Sequence, residues 1–447
     1  MKKIDIKIPE YAKEVLRRLE AAGFEAWCVG GCVRDALQGV APHDWDICTN
    51  ALPNQTIKAF KGYSVIPTGI KHGTVTVLIE KNPIEITTYR TDGGYSDHRR
   101  PDNVSFVRDV KHDLERRDFT MNAICLNLKG ELYDPFDGQD DIKRKIIRCV
   151  GDPKKRFDED ALRILRAIRF ASKTGFEIEK ETAGAAFQMR SLLENVSAER
   201  LYSEFKALLV GRNVTKVLLE YKEIIAQIVP EITPCFGFKQ NNPHHCYDVW
   251  EYIARSVSFS RPEPLIRLVM DFHDIGKPDM FFEDEKGVSH FKLHQLKSAE
   301  YAGVILKRFN CDNYTRKRVC ALIKEHDNRI GIGRKSVKKF ISKYDYDFFM
   351  DYLEVRRADT LAQSDFKREQ KLKELDDLAL IAIDVKEEND CLKLNDLAVG
   401  GNEMIALGLK GSQIGDMLKF LLEEVVEERL SNEANKLIDA AERKMNN

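Results

Sequence analysis

No stretch of this 447-residue sequence approaches the roughly 18 consecutive apolar residues that a membrane-spanning helix needs, so a membrane protein is not expected. The first residues run into a charged helical pattern without the apolar segment of a secretory signal. The ten cysteines are scattered singly, with no Cys-x-x-Cys pair and no framework spacing, which suits reduced thiols in the cytoplasm. Neither sign of charge is in excess: 71 basic residues face 72 acidic ones, which argues against a histone-like coat of positive charge. Internal repeats and low-complexity tracts are also missing. A chain of this length exceeds the size at which single cores stop growing, so two to four structural units are expected.

What is present divides in two. Up to about residue 150, a helix and strand-like runs alternate (FEAWCVGG, DWDICT, TVTVLIE, IEITTYR, TMNAICLNL), as in an α/β or α+β domain. After Gly151-Asp152-Pro153 apolar residues recur at three- and four-residue spacing, and the rest is expected to be mainly helical. PCFGFKQNNPHH marks a boundary near 233 to 244, and a polar run near 385 to 396 marks another. Between Ile142 and Lys173, eleven Lys or Arg face four acids, a run that reads as a solvated helix face or an anion-binding one.

Gly30-Gly31-Cys-Val-Arg34-Asp35 follows a strand pattern and opens a helix, and Asp44-Trp45-Asp46 follows it. On a strand, residues i and i+2 point the same way, so Asp44 and Asp46 are expected to project from one face. Paired carboxylates repel unless a cation sits between them, and hard oxygen ligands suit Mg²⁺. Glycines let backbone amides approach a phosphate, and Arg34 can neutralise a triphosphate.

GG-x-x-RD followed by D-x-D resembles the signature of the polymerase-β nucleotidyltransferase superfamily, and more closely its class II bacterial branch of tRNA nucleotidyltransferases and poly(A) polymerases. The resemblance implies an α+β fold: a polymerase-β-like nucleotidyltransferase head followed by an all-helical neck, an HD body and a tail. It implies Mg²⁺ on Asp44 and Asp46, with Glu85 of IEITTYR as a third carboxylate and Gly31 and Arg34 at the nucleotide. Arg116-Arg117-Asp118-Phe119-Thr120-Met121-Asn122-Ala123 is similar to the family's second motif, which makes Arg117 a nucleotide ligand and Asp118 and Asn122 partners for sugar hydroxyls. The segment from Asp160 to Arg169 is similar to its nucleotide-recognition helix, with Asp160, Arg163, Arg166 and Arg169 as ligands.

On a helix a step of three turns back by 60°, which would put Asp160 and Arg163 on one face. Cytosine and adenine each present an exocyclic amine beside a ring-nitrogen acceptor, so an aspartate and an arginine can read both, whereas uracil and guanine present the opposite order. Arg166 and Arg169 are left for phosphates, RNA backbone or helix packing. TDGGYSDHRRPDNVSF, with Arg99, Arg100 and Pro101, resembles the loop of members that complete CCA.

A second pattern lies in the helical region: His245, His273-Asp274, His294, His326 and Asp359. Imidazoles and carboxylates from several helices suit a divalent or transition metal. The order resembles the HD phosphohydrolase domain, which implies a second metal ion and a second, hydrolytic activity. DLAVGGNEMIALGLKGSQIGDMLKF resembles the family's tRNA-holding tail, or reads as a simple helix-turn-helix packing unit.

The expectation is a cytoplasmic enzyme in four parts: head 1–150, neck 151–232, HD body 233–385 and tail 386–447. Its expected reaction is untemplated addition of C, C and A from CTP and ATP to the 3′ end of tRNA, with release of pyrophosphate. A poly(A) polymerase shares every head motif, and an HD hydrolase with an RNA-binding head is the alternative of another class.

Overall fold

The computed structural model describes residues 2–3, 6–67, 69–93, 104–388 and 390–446. Its contacts separate two compact units, residues 1–230 and 231–447. Arg99, Arg100 and Pro101 of the expected CCA loop lie outside the described residues.

In the first unit, the helix Glu10–Ala21 buries Ala12, Val15, Leu16 and Leu19, one stripe at helical spacing. The sheet comprises β1 (Lys2–Lys3), β2 (Ala26–Val29), β3 (Ile47–Thr49), β4 (Ser64–Ile66), β5 (Thr74–Ile79) and β6 (Asn82–Thr88). Strands β7 (Arg90–Asp92) and β8 (Val104–Phe106) pair separately, and β9 (Cys125–Leu126) and β10 (Glu131–Tyr133) return to the main sheet. The strand order is β1-β10-β9-β2-β3-β6-β5-β4. Period-two alternation drives the pairing: Val75, Val77 and Ile79 of β5 and Ile84, Ile86 and Thr88 of β6 are all buried. The parallel pairing of β3 with β6 sets Ile47 beside Ile86, so one residue back Asp46 is level with Glu85.

Six helices follow, from Pro153–Glu159 and Leu162–Thr174 to Lys222–Ile228, interrupted by a short parallel pair of β11 (Ile146–Ile147) and β12 (Glu177–Ile178). The second unit is helical apart from a small antiparallel hairpin, β13 (Phe282–Glu283) and β14 (Ser289–His290). These two-residue strands are small exceptions within a mainly helical remainder, too short to leave an alternating pattern in the sequence. The last helices, Gly401–Ala406, Ser412–Val426 and Ala434–Asn446, close on an apolar cluster of their own that includes Met404, Leu421, Leu437 and Ala441. Among the described residues no helix is long and apolar enough to cross a membrane.

Candidate active sites

The first site starts where β2 ends. Gly30 turns the chain with φ +82° and ψ −130°, a conformation closed to ordinary side chains, and a Cβ there would lie 3.0 Å from Nη1 of Arg117. Gly30→Ala is therefore expected to cost about 1–3 kcal/mol and lower the thermal midpoint by several degrees, as calorimetry would read. The helix Gly31–Leu37 then presents Arg34, which is buried. Its Nε and Nη2 donate to Asp35 Oδ1 at 2.8 and 2.6 Å, and its Nη1 donates to Asn122 Oδ1 at 2.8 Å.

Asp44 and Asp46 precede β3 rather than lying on it, which corrects the strand boundary drawn from sequence. The backbone is already extended there, because Val29 N donates to Asp46 O at 3.0 Å. Exposed Asp44, buried Trp45 and exposed Asp46 alternate, so both acids share one side. Although Asp46 as a residue is exposed, its carboxyl borders a cavity. Crowding by the cavity walls, then the charges of Asp44 and Glu85, push that carboxyl up to about 6 against the pull of Arg117. Mutual repulsion of this kind is what a divalent cation relieves.

The cavity, of about 280 Å³, is walled by the glycine turn, by Asp46, and by five cations: Arg34, Arg117, Arg166, Arg169 and Lys173. Three of these guanidinium groups gather on the ring of Phe170, at 5.0 Å for Arg34, 5.5 Å for Arg166 and 3.9 Å for Arg169. Arg117 is anchored by Asp113 at 3.3 Å, and its buried Nε has no hydrogen-bond partner. Asp118 receives Arg166 Nε and Nη2 at 3.0 and 2.7 Å and Asn122 Nδ2 at 3.0 Å. Asp118 and Asn122 therefore hold the arginines, a structural task beside the sugar contacts expected of them. Glu204 binds both Arg166 and Arg169. Phe170 and Lys173 were not singled out from sequence as ligands, although Lys173 closes the basic run noted there.

Asp160 and Arg163 are placed differently from the expectation. The helix begins at Leu162, so Asp160 sits in the link after Pro153–Glu159 and does not share a helical face with Arg163. Asp160 Oδ2 accepts from Arg200 Nη2 at 2.8 Å. Arg163 donates to Glu159 Oε2 at 2.8 Å and to the carbonyls of Arg156 and Arg116 at 3.0 and 2.8 Å. Neither residue lines the cavity of the five cations.

The second site lies wholly in the second unit. His273 caps the helix Pro264–Phe272, His294 opens His294–Arg308, His326 caps Asn313–Glu325, and Asp359 lies on Tyr346–Ala362. Helix ends thus deliver three of the candidate ligands to one point. Each of the three histidines has Nδ1 beside the backbone carbonyl three residues earlier: Met270 at 2.7 Å, Phe291 at 2.7 Å and Ile323 at 2.6 Å. A carbonyl can only accept, so Nδ1 carries the proton and Nε2 of each neutral ring is a bare donor of electrons.

Those nitrogens converge on Asp274, with His294 Nε2 at 2.9 Å and His326 Nε2 at 3.5 Å from Oδ1, and His273 Nε2 at 3.3 Å from Oδ2. His273 Nε2 is also 3.4 Å from Asp359 Oδ1. Lone pairs facing carboxylates demand a cation. A proton answers in part: burial disfavours it, but Asp274 and Asp359 override burial and lift His273 to about 10. A divalent metal answers for all of them at once. Among the described residues, the ligand atoms of His273, Asp274 and His326 lie within 4.8 Å of one another, a spacing that the head carboxylates do not reach. His245 lines the same cavity with an unpartnered Nδ1, and burial drives its pKa down to about 3, which keeps it neutral. Lys277, one turn beyond His273 in the HDIGK segment, binds Asp274 Oδ2 at 2.7 Å and Gln240 at 2.8 Å.

Family models match in chain order: the poly(A) polymerase head domain over residues 26–148, the RNA and SrmB-binding site of polymerase A over 175–236, and tRNA nucleotidyltransferase domain 2 over 282–441. A CCA-adding enzyme of Limosilactobacillus fermentum is 50% identical over 205 residues, 46% of this chain and 51% of that one. One of Enterococcus faecalis is 49% identical over 209 residues, 46% and 51%. The chain thus spans about half the length of the curated relatives it matches. The crystal structure of the Bacillus stearothermophilus CCA-adding enzyme in complex with CTP superposes with a TM-score of 0.76 and 26% identity, covering 98% of each chain. The glycine turn and the carboxylates before β3 lie in the segment matched as a poly(A) polymerase head, and segment by segment the chain is similar to poly(A) polymerases and tRNA nucleotidyltransferases.

Proposed function

We propose that this chain adds C, C and A to the 3′ end of tRNA from CTP and ATP in the cytoplasm, without a nucleic-acid template. The observation that carries the reading is the cavity in which Asp46 faces five cations across a glycine turn. The 3′-oxygen of the RNA attacks the α-phosphorus, a new P–O bond forms, and the bond to the β-phosphate breaks to release pyrophosphate. Arg34, Arg117, Arg166, Arg169 and Lys173 neutralise the triphosphate and the leaving charge. Mg²⁺ on Asp44 and Asp46, with Glu85 level beside them, would supply electrostatic clamping of the attacking and leaving oxygens. The head, neck, body and tail of the four-part division keep their expected bounds in this reading.

Base choice is assigned to Asp160 and Arg163. Reading a base requires Asp160 to exchange Arg200 for the exocyclic amine of cytosine or adenine, and Arg163 to turn from Glu159 to the ring nitrogen. The four nucleoside triphosphates, supplied singly with a tRNA transcript lacking CCA, test this. CTP and ATP are expected to be used and UTP and GTP refused. Asp160→Asn is expected to narrow the CTP over UTP preference about tenfold or more, since an amide can donate where the carboxylate could only accept. Equal use of all four by the natural protein would contradict the reading.

The histidine cluster supports a second activity, hydrolysis of a phosphate ester. Asp274, His273, His294, His326 and Asp359 would hold a divalent ion, whose chemistry is to lower the pKa of a water and polarise a phosphoryl oxygen. Water adds to phosphorus, the P–O bond to the alcohol breaks, and the alcohol oxygen leaves with a proton. Lys277 holds Asp274 in place and adds positive charge beside the phosphate.

A further inference from the structure

The cations of the first site crowd one another, and carboxylates account for only part of what holds them together. Arg34 has Asp35 and Asn122, Arg166 has Asp118 and Glu204, and Arg169 shares Glu204 with Arg166. Burial, with the charge of Arg166 behind it, holds the Arg169 guanidinium below its ordinary range against the pull of Glu204. The remaining partner common to all three arginines is Phe170. Its ring follows Arg166 by one turn of the helix Leu162–Thr174 and meets Arg34 from the helix Gly31–Leu37, with the three guanidinium centres 3.9 to 5.5 Å from its centroid. A guanidinium is planar, so its N–H edge can take a carboxylate while its face takes a ring. Phe119 meets Phe170 edge-to-face, with 5.8 Å between centroids and 85° between planes, and fixes its tilt. The residue before Phe119 is Asp118, which receives Arg166. Two consecutive residues thus set both the ring and the acid.

A carboxylate cancels the charge it attracts, whereas a ring is neutral and leaves that charge for a ligand. In a cavity that presents Arg34, Arg117, Arg166, Arg169 and Lys173, a neutral attractor gathers cations without neutralising them. Phe170 borders the cavity but is only 4% exposed, too covered to serve as a stacking surface for a base. We infer that Phe170 is a positioning residue for the polyphosphate, its ring gathering Arg34, Arg166 and Arg169 before a triphosphate arrives. The inference rests on the nucleotidyltransferase reading of the cavity. Loss of the ring falls on binding more than on chemistry, because a bound triphosphate draws the same guanidiniums together and the cost of assembling them lowers affinity.

The test replaces Phe170 in the full chain with mono-, di- and trifluorinated phenylalanine, which nearly keep the size and apolar character of the ring and progressively weaken its attraction for cations. Calorimetry with Mg²⁺ and CTP, ATP or inorganic tripolyphosphate reads binding, and addition to a tRNA transcript lacking CCA reads KM and kcat. Kd for all three ligands and KM for both nucleotides are expected to rise stepwise, to about tenfold for the trifluorinated ring, with kcat within about threefold. Phe170→Leu, which removes the ring, is expected to raise them at least as far. A packing role would not follow fluorination in graded steps, so a Kd unmoved along the series overturns the inference even if Phe170→Leu binds weakly. A rise for CTP and ATP that spares tripolyphosphate would place the ring at the base and overturn it as well. No nucleotide addition by the natural protein, with tripolyphosphate binding that still follows the series, would remove the nucleotidyltransferase reading and leave the positioning role standing.

Discussion

Asp46→Ala is expected to reduce nucleotide addition about a thousandfold or more without lowering the thermal midpoint. The size follows from losing a proposed ligand of ions that would stabilise the transition state by several kcal/mol, at 1.36 kcal/mol for each factor of ten. The unchanged stability follows from the site itself. Its carboxyl is crowded by protein and by two like charges, and pushed up to about 6, so the folded state gains nothing from it and removal relieves repulsion. Phosphate release by the second site is expected to stay within about twofold. Addition assayed with labelled CTP, beside a thermal melt, reads both. A fall in the midpoint as large as that of Gly30→Ala would mean that Asp46 serves the fold, and near-normal addition would remove it from the chemistry.

The converse change is His273→Ala. It is expected to abolish phosphate hydrolysis and leave nucleotide addition within about twofold, because every contact made by His273 lies in the second unit. The same variant tests the metal apart from catalysis. A ligand that binds the folded state at a hundred times its Kd stabilises by about 2.7 kcal/mol, so Mn²⁺ is expected to raise the midpoint of the natural protein by several degrees and a chelator to reverse the rise. In His273→Ala the metal-induced rise is expected to vanish. Because alanine leaves a buried gap, His273→Gln provides a less disruptive second variant with the same expected outcome. A metal shift that persists in both would place the ion elsewhere.

The cysteines carry no such role. Eight of the ten are buried, and burial raises Cys32 to about 12 and keeps it a neutral thiol. Their scatter in the sequence had already left them without chemistry.

How much of this was legible in the sequence depends on the range of the interaction. Asp44, Asp46 and Gly30 are short-range features, readable because a glycine turn and an i, i+2 pair need only local geometry. Glu85 needed the parallel register of β3 with β6 to stand level with Asp46, which no single segment carries. The six candidate ligands His245, His273, Asp274, His294, His326 and Asp359 were readable as a composition of residue types in order, and the helix ends that gather three of them were not. Asp160 shows the reverse failure: helical periodicity was extended two residues too far, past the extended link at φ −143° and ψ 100° that separates two helices. Its partner Arg200 lies 40 residues away, and periodicity says nothing about that distance. The β13–β14 hairpin escaped because two residues per strand leave no alternation to see.

The central claim, ordered addition of three nucleotides and no more, is tested most directly by resolving products at single-nucleotide length. The purified chain, Mg²⁺ and tRNA transcripts lacking CCA would be supplied with CTP alone, ATP alone, or both. The account predicts two added residues with CTP and one further residue when ATP is present, with unrelated RNA left unextended. A long ladder of A on any RNA would contradict it and make the chain a poly(A) polymerase, and no extension of any transcript would leave the histidine cluster as its active centre.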